Sequence, residues 1–156
     1  MERPCEKKGM GKEMQLQQTL KKCYSFEGKG LHTGKNVTMV LEPAPVHHGI
    51  KFKRVDLGED AVIDAIVDYV TTTARGTTLE KGEVKISTLE HLMATFSGLG
   101  IDNAMVSIDA QEVPILDGSA KPYVDEICKD GLVEQDAPRQ YLELKDKIVY
   151  RNEKTV

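Results

Sequence analysis

Ser87-Thr88-Leu89-Glu90-His91-Leu92-Met93-Ala94-Thr95-Phe96-Ser97-Gly98 carries the clearest helical signal in the chain, and the rest of the fold reads outward from it. Leu89, Leu92, Met93 and Phe96 fall at i, i+3, i+4 and i+7, one apolar stripe of an amphipathic helix. Ser87 with Glu90 three residues on has the form of a capping box. Gly98 or Gly100 supplies the left-handed stop. Downstream, Asn103 to Asp109 alternates as a strand, and Gln111 to Ile115 reads as another, with Pro114 marking a sheet edge. Asp117-Gly118 turns the chain, and Ser119 caps a second helix with Ala120, Tyr123, Val124, Ile127 and Cys128 on its apolar face. Pro122 is tolerated in the first turn of that helix and Gly131 closes it. The two helices are expected near 87–98 and 119–130.

Upstream, Glu83 to Ile86 is a short strand. Ala61 to Val70 fits either period, and its β-branched content tips it to strand. Gly49 to Val55 alternates, with Ile50 and Phe52 opposite Lys51 and Lys53. Asn36 to Glu42 places Val37, Met39 and Leu41 on one face, and a strand within Leu16 to Glu27 pairs with it through the turn Gly28 to Gly34. Strands outnumber helices, so the fold class is α+β: a small β-sheet with two helices packed on it. Residues 1–15 are polar and glycine-punctuated, and a disordered tail is expected there. Residues 16–135 form the domain. Glu134 to Gln140 reads as polar linker, giving a boundary at 136–140, and 141–156 as the start of a second, truncated domain.

The chain has 156 residues, 40% hydrophobic and 29% charged, an ordinary globular balance. A net charge of -4 counts against a nucleic-acid partner, which normally shows as a basic surplus. Cys5, Cys23 and Cys128 form no close pair and suit a reducing compartment, with a buried structural role expected. The first twenty residues contain no apolar run, and no stretch approaches a membrane span. A soluble, cytoplasmic protein is expected.

On a wheel at about 100° per residue, His91 lies opposite the apolar stripe, beside Glu90, Ala94, Thr95 and Gly98. Periodicity alone leaves two readings open, a solvated histidine beside a capping glutamate or a chemical pair aimed at something beyond the domain, and it weighs toward the first. His47-His48 follow a proline and read as surface loop. Neither H-x-x-x-H nor H-x-x-x-D occurs, whereas a catalytic zinc takes three protein ligands and a water. The Gly28–Gly34 segment lacks the spacing of a phosphate loop and reads as a hairpin turn.

Taken together, four stretches resemble one family: GKGLHTGKNVTMVLEPAP at 28–45, GIKFKRVDL at 49–57, ISTLEHLMATFSGLGIDNAMVSI at 86–108 and EVPILDGSAKPYVDEI at 112–127. They are similar to the first domain of UDP-3-O-acyl-N-acetylglucosamine deacetylase, in that family's order and spacing. The resemblance implies a two-domain enzyme, each half a ribosomal protein S5 domain 2-like sheet with two helices, and a site in the cleft between halves. It implies a zinc cofactor and a nucleotide-sugar lipid substrate of lipid A synthesis, with at most transient membrane contact. Carried over by motif, His91 is a zinc ligand and Glu90 the general base. His32, in the GLHTG turn, and Thr73, Ala74 and Arg75 line the substrate. The remaining ligands belong to an H-x-x-x-D pattern in the missing C-terminal domain, so this fragment is expected to be inactive alone. Some members of the family also carry a fused dehydratase. Two other functions compete with the enzyme reading, a stand-alone nucleotide-sugar or protein-binding module and an RNA-binding domain, and the acidic balance disfavours the second.

Overall fold

A computed structural model describes residues 15–150, so most of the expected tail and the last six residues lie outside the described residues. The architecture is α+β, as expected, but it is built from three sheets rather than one. The central sheet has five strands in the order β2-β3-β9-β4-β5: β2 (Tyr24–Lys29), β3 (Asn36–Pro43), β9 (Ala104–Ile108), β4 (Ile50–Arg54) and β5 (Val62–Asp64). All its pairs are antiparallel except β4 with β9. Strand alternation sends Val37, Met39, Leu41, Phe52, Val106 and Ile108 into the core. Helix α1 (Glu90–Leu99) contributes Leu92 and Phe96 to that core, and α2 (Lys121–Cys128) contributes Tyr123 and Ile127. Phe26 and Tyr123 meet edge to face with centroids 4.8 Å apart, an arrangement aromatic quadrupoles favour.

A second sheet pairs β1 (Leu16–Leu20) with β10 (Leu132–Pro138), antiparallel. This corrects the linker reading of Glu134 to Gln140. The segment is polar because most of its side chains face solvent, and its hydrogen-bonding partner lies at the other end of the chain. The third sheet, β6-β7-β8, is formed by Val70–Thr72, Thr78–Lys81 and Val84–Ser87. The ambiguous Ala61 to Val70 resolves into β5, a 3-10 turn at Val67–Tyr69, and the start of β6. Gln111 to Ile115 is no strand; it touches the third sheet through a single bridge between Ser87 and Glu112. Tyr141 to Tyr150 has no regular structure and is exposed. Cys23 is exposed and Cys128 half-buried, so a fully buried role fits neither, and Cys5 lies outside the described residues. No helix among the described residues is long and apolar enough to cross a membrane.

Candidate active site at the start of the first helix

The capping box does not form. Leu89 occupies the N-cap position without a side-chain cap bond, and α1 starts at Glu90. Ser87 is held instead by the segment beside it: its N–H and Oγ both donate to the Gln111 carbonyl, and its own carbonyl accepts from Val113. The chain then bends at Thr88, buried and with φ of 59°. A β-branched residue in the left-handed region is a genuine outlier, tolerated only where the surroundings over-determine it. The bend sends Glu90 across to the turn between β6 and β7, where one carboxylate oxygen, Oε2, accepts the Thr77 N–H at 2.9 Å. Oε1 is left for other work.

The helix wheel holds for most of α1: Leu89, Leu92 and Phe96 are buried, Glu90 and His91 half-buried, Ala94 and Gly98 exposed. Thr95 departs from it. The start of α2 covers that flank, and Thr95 is buried with its hydroxyl donating to the His91 carbonyl at 2.9 Å. The His91 ring has no hydrogen-bond partner among the described residues.

His32 sits near this helix start through a different route. Its Nε2 lies 3.2 Å from the Arg75 carbonyl, which can only accept, so the ring donates there. Arg75, with φ of 64°, and Gly76, with φ of 147°, form the turn between β6 and β7 that passes over Glu90. A Cβ on Gly76 would stand 3.5 Å from Glu90 Oε1. Thr73 and Ala74 stand exposed at the tip of the turn, and His32 is hydrogen-bonded to the Arg75 carbonyl.

The residue that sequence reasoning missed is Glu112. It is fully buried, and its carboxylate accepts from the N–H of His32 at 3.0 Å, the N–H of Thr33 at 2.8 Å and the hydroxyl of Thr88 at 2.9 Å. Burial by itself pushes the Glu112 carboxyl up, but the donors from His32, Thr33 and Thr88 outweigh it and hold the group below the ordinary carboxylate range. Its motif, EVPILDG, was legible as a stretch, while its partners lie 79, 80 and 24 residues away and follow no local period. The contacts close a ring: Glu112 to the His32 turn, His32 to Arg75, Thr77 to Glu90, and Thr88 back to Glu112. The ring gathers His32, Arg75 and Glu90 at one edge of the domain, with His91 following Glu90 on α1.

His47 and His48 are elsewhere. His47 accepts a hydrogen bond from the Gln17 amide at 2.9 Å, in a loop far from α1 in sequence. Among the described residues no group of three His, Cys, Asp or Glu side chains is arranged to hold a metal.

Residues 17–156 match the family model described as UDP-3-O-acyl N-acetylglycosamine deacetylase. The chain belongs to this family. It is 55% identical over 135 residues to the "Bifunctional enzyme LpxC/FabZ" of Porphyromonas gingivalis, covering 86% of this chain and 29% of that protein. It is 49% identical over 142 residues to the protein of the same description from Bacteroides thetaiotaomicron, covering 91% and 31%. It is 54% identical over 129 residues to the UDP-3-O-acyl-N-acetylglucosamine deacetylase of Methylococcus capsulatus, covering 83% and 42%. The chain thus spans less than half the length of these relatives, in keeping with the first domain of the family.

Proposed function

We propose that this chain supplies half of a deacetylase site, with Glu90 as general base and His91 as one ligand of a zinc ion, for hydrolysis of the acetamide of UDP-3-O-acyl-N-acetylglucosamine in lipid A synthesis. The observation that carries the reading is the placement of Glu90: one oxygen is occupied by the Thr77 N–H while Oε1 keeps its lone pairs. A carboxylate held by one oxygen is oriented and still able to take a proton. A half-buried imidazole without a hydrogen-bond partner among the described residues, one residue further along the same helix, fits a metal ligand awaiting the rest of its set. Among the described residues the donor set amounts to that one imidazole, so this reading takes the remaining ligands from outside them.

Zinc, when bound, polarises an amide carbonyl and lowers the pKa of water. Glu90 then accepts the proton of the attacking water at Oε1 and delivers it to the departing amine. The ring through Glu112 and Thr88 keeps that carboxylate from drifting. His32 and the turn carrying Thr73, Ala74 and Arg75 stand at the same edge and are the residues assigned to substrate contact. As the C–N bond breaks, the water's oxygen stays on the acyl carbon and the proton taken by Glu90 goes to nitrogen, giving amine and acetic acid, whose own proton is lost to solvent.

Metal content and turnover of Glu90→Gln and His91→Ala test this in the natural reading frame containing the chain. Glu90→Gln should keep its zinc and lose on the order of 10²-fold or more in rate, the scale of general-base catalysis. His91→Ala should lose zinc along with activity. The 156-residue chain by itself should show no turnover. Near-normal rates in Glu90→Gln, or full zinc in His91→Ala, would return both residues to the surface reading.

A further inference from the structure

We propose that Glu112 is the positioning residue of this site, setting the placement of Glu90 through the Thr88 bend while holding the His32 turn against the loop over Glu90. The proposal deepens the deacetylase reading and rests on it for the catalytic consequence, though not for the hydrogen-bond ring. Three donors converge on Glu112, two backbone N–H groups of one turn and the hydroxyl of another segment. A carboxylate accepts from all three; a glutamine amide would turn its NH2 either toward the two backbone N–H groups or toward the Thr88 hydroxyl, and so would give up accepting from one side or the other. No ion pair to Glu112 is found among the described residues. A buried carboxylate without a cation is a costly way to fill space, which argues that its acceptor geometry is what matters.

That geometry has one consequence at Thr88 and another at residue 30. Thr88 keeps its left-handed backbone because Ser87 is bonded on both sides to Gln111 and Val113 and its own hydroxyl is fixed by Glu112. Two residues later the chain delivers Glu90 to the Thr77 N–H. At the other end, Gly30 passes over the carboxylate so closely that a Cβ there would stand 2.9 Å from Glu112 Cδ. Glu112 therefore touches neither substrate nor metal in this account, and acts through Thr88 and His32.

The test is Thr88→Val, which keeps the branched shape and deletes the hydroxyl, with Thr88→Ser as rescue. Thr88→Gly serves as a second variant that relieves the left-handed strain, should the valine chain fail to fold. In the 156-residue chain the readout is amide exchange at Thr77, whose acceptor is Glu90, with the core amide of Val106 as internal reference. Exchange at Thr77 should quicken by about tenfold or more in the valine and glycine variants, stay near the parent rate in the serine variant, and leave Val106 unchanged. In the natural reading frame, Thr88→Val should lower kcat by roughly tenfold or more, the scale of a small misplacement of a catalytic group, with zinc retained and KM little changed. The double variant Thr88→Val/Glu90→Gln should be no slower than Glu90→Gln alone, because residues acting through one another are non-additive. Unchanged Thr77 exchange, or rate losses that multiply in the double variant, overturns the proposal. A parent enzyme without deacetylase activity, alongside the expected Thr77 exchange, would instead remove the functional reading and leave the ring standing.

Discussion

Gly30→Ala is the sharpest stability test of the buried carboxylate. An added Cβ would stand 2.9 Å from Glu112 Cδ and closer still to Glu112 Oε2 and Thr33 Oγ1. Ordinary carbon contacts begin near ~3.5 Å. A clash with the end of a side chain is usually relieved by rotation, but Glu112 is fully buried and bonded to His32, Thr33 and Thr88. Moving it sacrifices a hydrogen bond to a charged group, worth about 1.5–3 kcal/mol. Moving the turn instead disturbs the Gly30–Lys35 and Gly34–Gly30 backbone bonds, both 3.0 Å, and overpacking of this kind costs about 1–3 kcal/mol. Some of both is unavoidable, because Thr33 must also rotate, so the expected loss is about 3 kcal/mol. For a chain of this length that lowers Tm by roughly 6–12 °C. Urea unfolding followed by circular dichroism, with thermal melts alongside, measures it. A loss below about 0.5 kcal/mol, the scale of an inconsequential surface change, would show that the turn and the carboxylate are not locked together.

Gly98→Ala should do the opposite. Gly98 lies in α1, exposed, with nothing within 4 Å of an added Cβ. Alanine there should stabilise by about 0.5–1 kcal/mol through helix propensity, read as a raised urea midpoint. Acid should expose the carboxylates. Glu112 and Asp56 both titrate below their ordinary range when folded, Asp56 because the Arg54 guanidinium bonds it. A depressed folded pKa means that the unfolded chain binds the proton first as pH falls. Their stabilisation is thus complete above the unfolded values near ~4 and drains as pH drops through the folded ones. Urea midpoints from pH 7 to 3 should hold steady and then fall, and Glu112→Gln should flatten that fall. An equally steep acid loss in Glu112→Gln would remove Glu112 from the account.

Much of this architecture was legible because the core-facing signals are local. The α1 stripe through Leu92 and Phe96 and the alternation of Val37, Met39 and Leu41 report burial directly, and the structure buries these residues. Strand β10 was illegible for the converse reason: it is polar, and what makes it a strand is β1, more than a hundred residues away in the Leu16–Pro138 pair. The Ser87–Glu90 spacing was a true capping pattern overridden by tertiary contacts, since Gln111 and Thr77 took the groups that a capping box would use. Glu90 and His91 stood out by facing away from the stripe. Glu112 did not stand out at all, because a glutamate's burial is decided by donors from distant turns.

Buried polar contacts also fix how the chain leaves the domain. Asn103 is buried and bonds Gln17, Gln135 and the Gly49 N–H, joining β1, β10 and the β4 entrance. Arg139, the residue after β10, donates to Asp102 at 2.7 Å and to the Gly100 carbonyl at 2.5 Å. Gly100 is the C-cap of α1, whose opposite end carries Glu90 and His91. The chain therefore leaves the domain pinned at the far end of the helix that bears the site. A helix of ten residues is about 15 Å long at ~1.5 Å per residue. Residues 140–150, irregular and exposed, span up to about 36 Å when extended. That reach exceeds the helix length about twofold, so chain continuing past this segment can return to the His91 face without disturbing the Arg139 anchor. The exposed side chains of Leu142, Leu144, Ile148 and Val149 along the way would then need covering, which is the energetic reason why, on the proposed two-half reading, a second half would fold back against the first rather than hang free.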